Sequence, residues 1–140
     1  MRFPYSEIPV DRYCTGRPTE VAYRPVLNVI LKYKNKTRTT PALVDSGADK
    51  CIFPTPVGEL IGLDVHSVEP EYSGGIDAIK VPVYCHDITI VIRNNPINVR
   101  CGFIDKLPIG LLGQEGFFDQ YKITFFYKEK YFDITPNRKA

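Results

Sequence analysis

Apolar residues in this chain gather in short runs with frequent alternation, and few stretches hold the three-to-four-residue spacing of a helix. Val26-Leu27-Asn28-Val29-Ile30-Leu31 is the first clear strand signal, and Thr39-Thr40-Pro41-Ala42-Leu43-Val44 is the second. The polar stretch between them predicts a hairpin. From Val68 the pattern predicts another, with Tyr72-Ser73-Gly74-Gly75-Ile76 at the turn and Ile79-Lys80-Val81-Pro82-Val83-Tyr84 alternating on the return limb. Paired glycines leave such a tip free to flex. Asp87 to Arg93 and Ile97 to Ile104 flank Asn94-Asn95-Pro96, a strong turn signal. Leu107 to Gly113 reads as a buried strand closing on glycine, and Lys122 to Tyr127 with Tyr131 to Thr135 as a terminal strand pair. Helical pattern is confined to Val57 to Leu63, ended by Gly62, and to one or two turns between Gln114 and Gln120. Many short strands with one or two brief helices indicate an all-β domain, barrel-like or sandwich-like.

Residues 1–20 carry prolines and little pattern, which predicts an extended arm ahead of a domain spanning 21–140. A chain of 140 residues is long enough for one core that buries roughly two thirds of its unfolded surface. The apolar share of 44% and charged share of 24% are ordinary for a globular chain, so disorder and coiled coil are both disfavoured. No run reaches membrane-span length and the first residues lack the apolar stretch of a secretory signal, so a soluble, cytoplasmic protein with no membrane partner is expected.

A net charge of +2 is too small to argue by itself for nucleic acid, which usually demands a clustered basic face, and no nucleic-acid partner is expected. The one basic cluster, Lys32 to Arg38, falls between two strand signals and reads as a solvated hairpin tip. Cys14, Cys51, Cys85 and Cys101 show no Cys-x-x-Cys spacing, which favours reduced, mostly buried thiols over a metal site with His66 and His86. The aromatics from Phe117 to Phe132 read as core and interface packing. Cys85 and His86 could be taken for a nucleophile and its base, but neighbours on a strand point to opposite faces.

The segment that promises chemistry is Asp45-Ser46-Gly47-Ala48, behind Ala42-Leu43-Val44 and ahead of Ile52-Phe53-Pro54. A turn leaving an apolar strand here presents a carboxylate, a hydroxyl and an unhindered backbone. Amide hydrolysis by carboxylates needs two that share a proton, and the chain has one Asp-Ser-Gly.

The ordered set of an apolar strand, Asp45-Ser46-Gly47-Ala48, the Gly74-Gly75 hairpin and Leu111-Leu112-Gly113 resembles the retropepsin-like aspartic proteases, over about Pro25 to Pro136. The resemblance implies a retropepsin-like closed or partly open β-barrel with psi-loops. It makes Asp45 the catalytic acid and base and gives the Ser46 hydroxyl a bond across a dimer axis. Gly47 then admits the substrate backbone, and Gly74, Gly75 and Ile76 belong to a flap that closes over substrate. Leu111, Leu112 and Gly113 become the strand that supports the active-site loop, together with Ser46, Gly47 and Ala48. It further implies a homodimeric endopeptidase acting on polypeptide, with no metal and no cofactor. The alternative on the same fold is a catalytically weak or silent peptide-binding or dimerisation module. One departure stands out: retroviral members follow the late glycine with Arg, which braces the acid at the position of Asp49, whereas this chain has Gln114. Asp49 is therefore expected to contact the substrate backbone without that brace.

Overall fold

Alternation in Leu27, Val29 and Leu31 builds the first core strand, because each of these side chains is buried while Asn28 and Lys32 stay in solvent. That strand, β4 (Val26–Tyr33), pairs antiparallel with β5 (Lys36–Val44) through a turn at Lys34-Asn35, where Lys34 adopts φ 53. The basic cluster therefore straddles the tip as expected. The computed structural model describes residues 1–12, 17–74 and 80–137.

Ahead of β4 come β1 (Arg2–Pro4), β2 (Ser6–Arg12) and β3 (Arg17–Arg24). After β5 come β6 (Ile52–Pro54), the helix α1 (Thr55–Leu60), β7 (Glu71–Gly74), β8 (Lys80–Ile92) and β9 (Asn95–Ile104). Last are β10 (Gly110–Leu112), β11 (Tyr121–Phe126) and β12 (Tyr131–Pro136). Seven strands form one sheet in the order β4-β5-β10-β6-β9-β8-β7, and β4 also pairs with β8, so the sheet bends back on itself as a partly open barrel. The core inside it is led by Phe53, Phe103, Leu31, Ile61, Ile90, Ile92 and Leu112, all but removed from solvent.

Several expected elements differ in extent. The return limb of the glycine-tipped hairpin and the strand from Asp87 are one unbroken strand of 13 residues, because its pairing with β9 runs in register from Tyr84 to Ile92 even though burial changes phase, from Val83 and Cys85 to Ile88, Ile90 and Ile92. It turns into β9 at Arg93 and Asn94, whose φ values of 44 and 66 give the two left-handed positions of a tight hairpin. The helix begins at Thr55, two residues before the expected Val57, because proline at the first turn loses no helical hydrogen bond. The Gln114–Gln120 segment forms turns and no helix: Gly116 sits at φ 99, and the Asp119 amide bonds the Gln114 carbonyl five residues back. The Leu107–Gly113 strand shrinks to three residues.

The boundary expected at Glu20 lies inside β3, which pairs with β2 as a two-stranded ribbon. β1 joins β12 and β11 in a three-stranded sheet, with the Phe3 and Phe132 rings stacked at 5.6 Å between centroids. Of the terminal aromatics, Phe117, Tyr121 and Phe132 are buried and Phe125 and Tyr127 are exposed. Cys51, Cys85 and Cys101 are free, buried thiols, and Cys14 lies outside the described residues.

Candidate active site

Strand β5 buries Ala42 and Val44 and so delivers Asp45 at its end, where the side chain is half-buried. The Asp45 carboxylate accepts a bond from the Gly47 amide at 2.9 Å, and the Ala48 amide bonds the Asp45 carbonyl at 3.2 Å. Aspartate and glycine are suited to this local turn, since a short carboxylate can reach an amide two residues on. The bond through Oδ1 leaves Oδ2 available for chemistry.

The support comes from β10, which threads between the two strands that flank the loop. Leu111 and Leu112 run parallel to Leu43 and Val44 of β5, and Leu111 faces Ile52 of β6 antiparallel. The Asp45 amide donates to the Leu112 carbonyl at 3.0 Å, the Gln114 amide to Ala48 at 2.8 Å and the Glu115 amide to Asp49 at 2.9 Å. Gly113 is obligatory at the crossing: a Cβ there would sit 2.4 Å from the Lys50 carbonyl oxygen and 2.6 Å from that of Ala48. The Gln114 side chain, expected only as a missing Arg, donates from Nε2 to the Ser46 carbonyl at 2.7 Å. It thus ties the loop backbone at Ser46, a different point from the Asp49 side chain whose brace the family resemblance expects to be missing.

A cavity of about 470 Å³ opens above this loop. Of the residues expected at the site, Asp45, Gly47, Ala48, Asp49, Gly74 and Leu111 line it. Ser46, Leu112 and Gly113 do not line it, although each contributes backbone to the hydrogen-bonded frame or to the crossing just described. Gly75 and Ile76 lie outside the described residues, as does the rest of the hairpin tip. The two limbs of that hairpin are in place, with Ser73 opposite Val81 and Gly74 opposite Lys80.

Sequence reasoning missed the far wall: Lys50, Glu71, Val83, Cys85 and Gly102. Period-two alternation along β8 could have found Val83 and Cys85, which share a face, and the register sets Glu71 opposite Val83 and Gly102 opposite Cys85. The Lys50 ammonium lies 3.8 Å from Glu71 Oε2, and the Cys85 thiol is 3.7 Å from the same oxygen. Burial pushes the Cys85 thiol up, and the Glu71 carboxylate adds to the shift, so the thiol stays neutral. His86 turns the other way, with Nε2 2.8 Å from the Val65 carbonyl, and forms no dyad with Cys85. Deeper, burial raises Cys51 to about 11 and Cys101 well above an ordinary thiol. These are packing thiols. Among the described residues, no group of three or more His, Cys, Asp or Glu side chains is placed to hold a metal ion.

No protein-family model matches the sequence, and no curated protein matches it. Solved structures do. A retropepsin-like aspartic protease from Rickettsia conorii superposes with a TM-score of 0.63 at 15% identity, over 96% of this chain and 92% of that one. EIAV protease complexed with the inhibitor HBY-793 gives 0.53 at 22% identity, over 74% and 88%. The bent seven-stranded sheet, with β10 threaded beneath the Asp45 loop, is the retropepsin-like fold.

Proposed function

We propose that this protein is an aspartic endopeptidase that works as a homodimer, joining Asp45 to the partner's Asp45 in one dyad. The observation that carries the reading is a half-buried carboxylate at the edge of an open cavity, on a loop tied at Asp45, Ala48 and Asp49 to the strand and turn behind it. Catalytic groups need such restraint, because small displacements cost much of the rate. One Asp-Ser-Gly per chain makes the second carboxylate a matter of assembly.

Two carboxylates at close range cannot both ionise cheaply, so the pair holds one proton. The ionised member takes a proton from a water held between them while the other donates to the scissile carbonyl oxygen. Water oxygen bonds to carbon, and the tetrahedral species collapses as the C–N bond breaks and nitrogen takes up a proton. Asp45 is the catalytic residue of this scheme. The substrate lies extended, with Gly47 admitting its backbone, Asp49 bonding its amides, and Gly74, Gly75 and Ile76 closing over it from the flap. Ser46 bonds across the two-fold axis. The site of action is the cytoplasm; among the described residues no helix is long and apolar enough to cross a membrane.

The decisive comparison sets wild type against Asp45→Asn on a peptide library across about pH 4 to 8, with mass measured in parallel. Cleavage by wild type alone, in a dimeric species, is expected. Equal cleavage by both proteins would overturn the assignment, and an active monomer would overturn the shared dyad.

A further inference from the structure

The far wall of the cavity presents two opposite charges on elements that belong to different parts of the site. Lys50 stands on the segment after the Asp45 loop, and Glu71 starts the first limb of the flap hairpin. Their charged atoms are 3.8 Å apart, and the side chains are 47% and 64% exposed. That spacing is longer than a direct hydrogen bond of about 2.7 to 3.2 Å, so the pair is loose and open to a third group. Beneath it the wall is apolar. Val83 and Cys85 project from β8, and Gly102 contributes no side chain, a Cβ there falling 2.4 Å from Val83 Cγ1.

We propose that Lys50 and Glu71 form a specificity subsite for an uncharged amide side chain, glutamine or asparagine, in an extended peptide. This rests on the peptide-cleaving reading above and names its substrate class. A primary amide carries an acceptor oxygen and a donor NH2 on one carbon, closer together than the two ions are. The oxygen accepts from Lys50 Nζ while the NH2 donates to the Glu71 carboxylate, and the ions need not separate. An acidic side chain satisfies Lys50 and is repelled by Glu71; a basic one does the reverse. An aliphatic one reaches neither ion and leaves both to solvent. The methylene stem of the amide packs on Val83 and Cys85, and the thiol there brings no third charge. Asp49, the other charged group on this side of the cavity, is taken up by the peptide backbone in the binding mode proposed above.

The test uses peptides varied at each position to Gln, Asn, Glu, Lys and Leu, scored for cleavage by wild type and for binding to full-length Asp45→Asn by fluorescence anisotropy. At the position this subsite reaches, and at its symmetry-related position across the scissile bond, Gln or Asn should bind about five-fold tighter than Glu or Lys. Glu71→Gln should move the preference to Glu, and Lys50→Gln should move it to Lys. The double swap Lys50→Glu with Glu71→Lys should restore the amide, because it again presents one donor and one acceptor. The same ranking in wild type and both single variants, or no ranking at all, overturns the subsite. Selective binding without cleavage by wild type would leave the subsite standing and remove the protease reading. Cleavage with no amide preference would do the opposite.

Discussion

Gln114 holds Ser46: its side-chain amide donates to the Ser46 carbonyl at 2.7 Å, across 68 positions of chain. The bond closes the loop that carries Asp45 against the segment leaving β10, whose backbone already bonds Ala48 and Asp49. A neutral amide therefore holds the backbone of the loop here, and no cation is needed for that.

Replacing Gln114 with Ala should remove that tie and leave the fold standing. One exposed hydrogen bond contributes about 1 kcal/mol, so a melting temperature lowered by a few degrees is expected. Peptide cleavage should fall further than stability does, since the loop at Asp45 gains freedom. Gln114→Glu cannot donate and should behave like Ala. Unchanged kcat in both variants would show that the backbone bonds suffice alone.

Gly113→Ala should be far more damaging. Its Cβ meets two backbone oxygens, of Lys50 and Ala48, and backbone in a supported crossing cannot turn aside as a side-chain tip would. Relief requires β10 to leave the loop, breaking the bonds to Asp45 and Ala48. A loss of about 3 kcal/mol or more is expected in urea unfolding, on the scale of severe overpacking. A variant as stable as wild type would mean that the crossing has slack.

How much was legible follows from what each feature depends on. The strands showed in local alternation, and the Asp45 turn in three residues whose chemistry is local. The role of Gln114 was hidden because its acceptor is a backbone carbonyl, which no residue type at position 46 announces. Lys50 and Glu71 were hidden for another reason: their meeting depends on the register of β7 on β8 and on the curl of the sheet, neither of which is written in either neighbourhood. The helix expected at Gln114–Gln120 failed where tertiary bonds to the loop, with Gly116 at φ 99, overrode local propensity.

Asp105 ties α1 to the end of β9. Its Oδ1 accepts from Thr55 at 2.8 Å and lies 2.7 Å from His66 Nε2. The Thr55 bond, and then the His66 bond, hold its carboxyl below the ordinary aspartate value. A carboxyl depressed on folding contributes stability that is present above its unfolded value, about 3.9, and lost as pH falls through the folded one. Asp105→Asn should therefore lower the melting temperature near neutral pH, and the gap from wild type should narrow steadily as the solution is acidified below about pH 4. The carboxylate is half exposed, so solvent screening keeps the effect small. A gap that widens on acidification would have the wrong sign for this account.

If two chains share one dyad, an inactive chain should poison an active one. Asp45→Asn keeps the side chain's size and its acceptor oxygen for the Gly47 amide, so it should still assemble. Mixed in equal amounts with wild type and allowed to exchange, it distributes wild-type chains between homodimers and mixed dimers at random. About half of the wild-type chains then sit beside an Asn partner, and activity per wild-type chain should fall to about half. Dilution should lower the specific activity of wild type as dimers dissociate. The mixing loss should appear only after exchange, and should be absent when the two proteins are combined immediately before assay. Activity per wild-type chain that is indifferent to the mutant, after exchange verified by native mass spectrometry, would mean that each chain carries its own complete catalytic site.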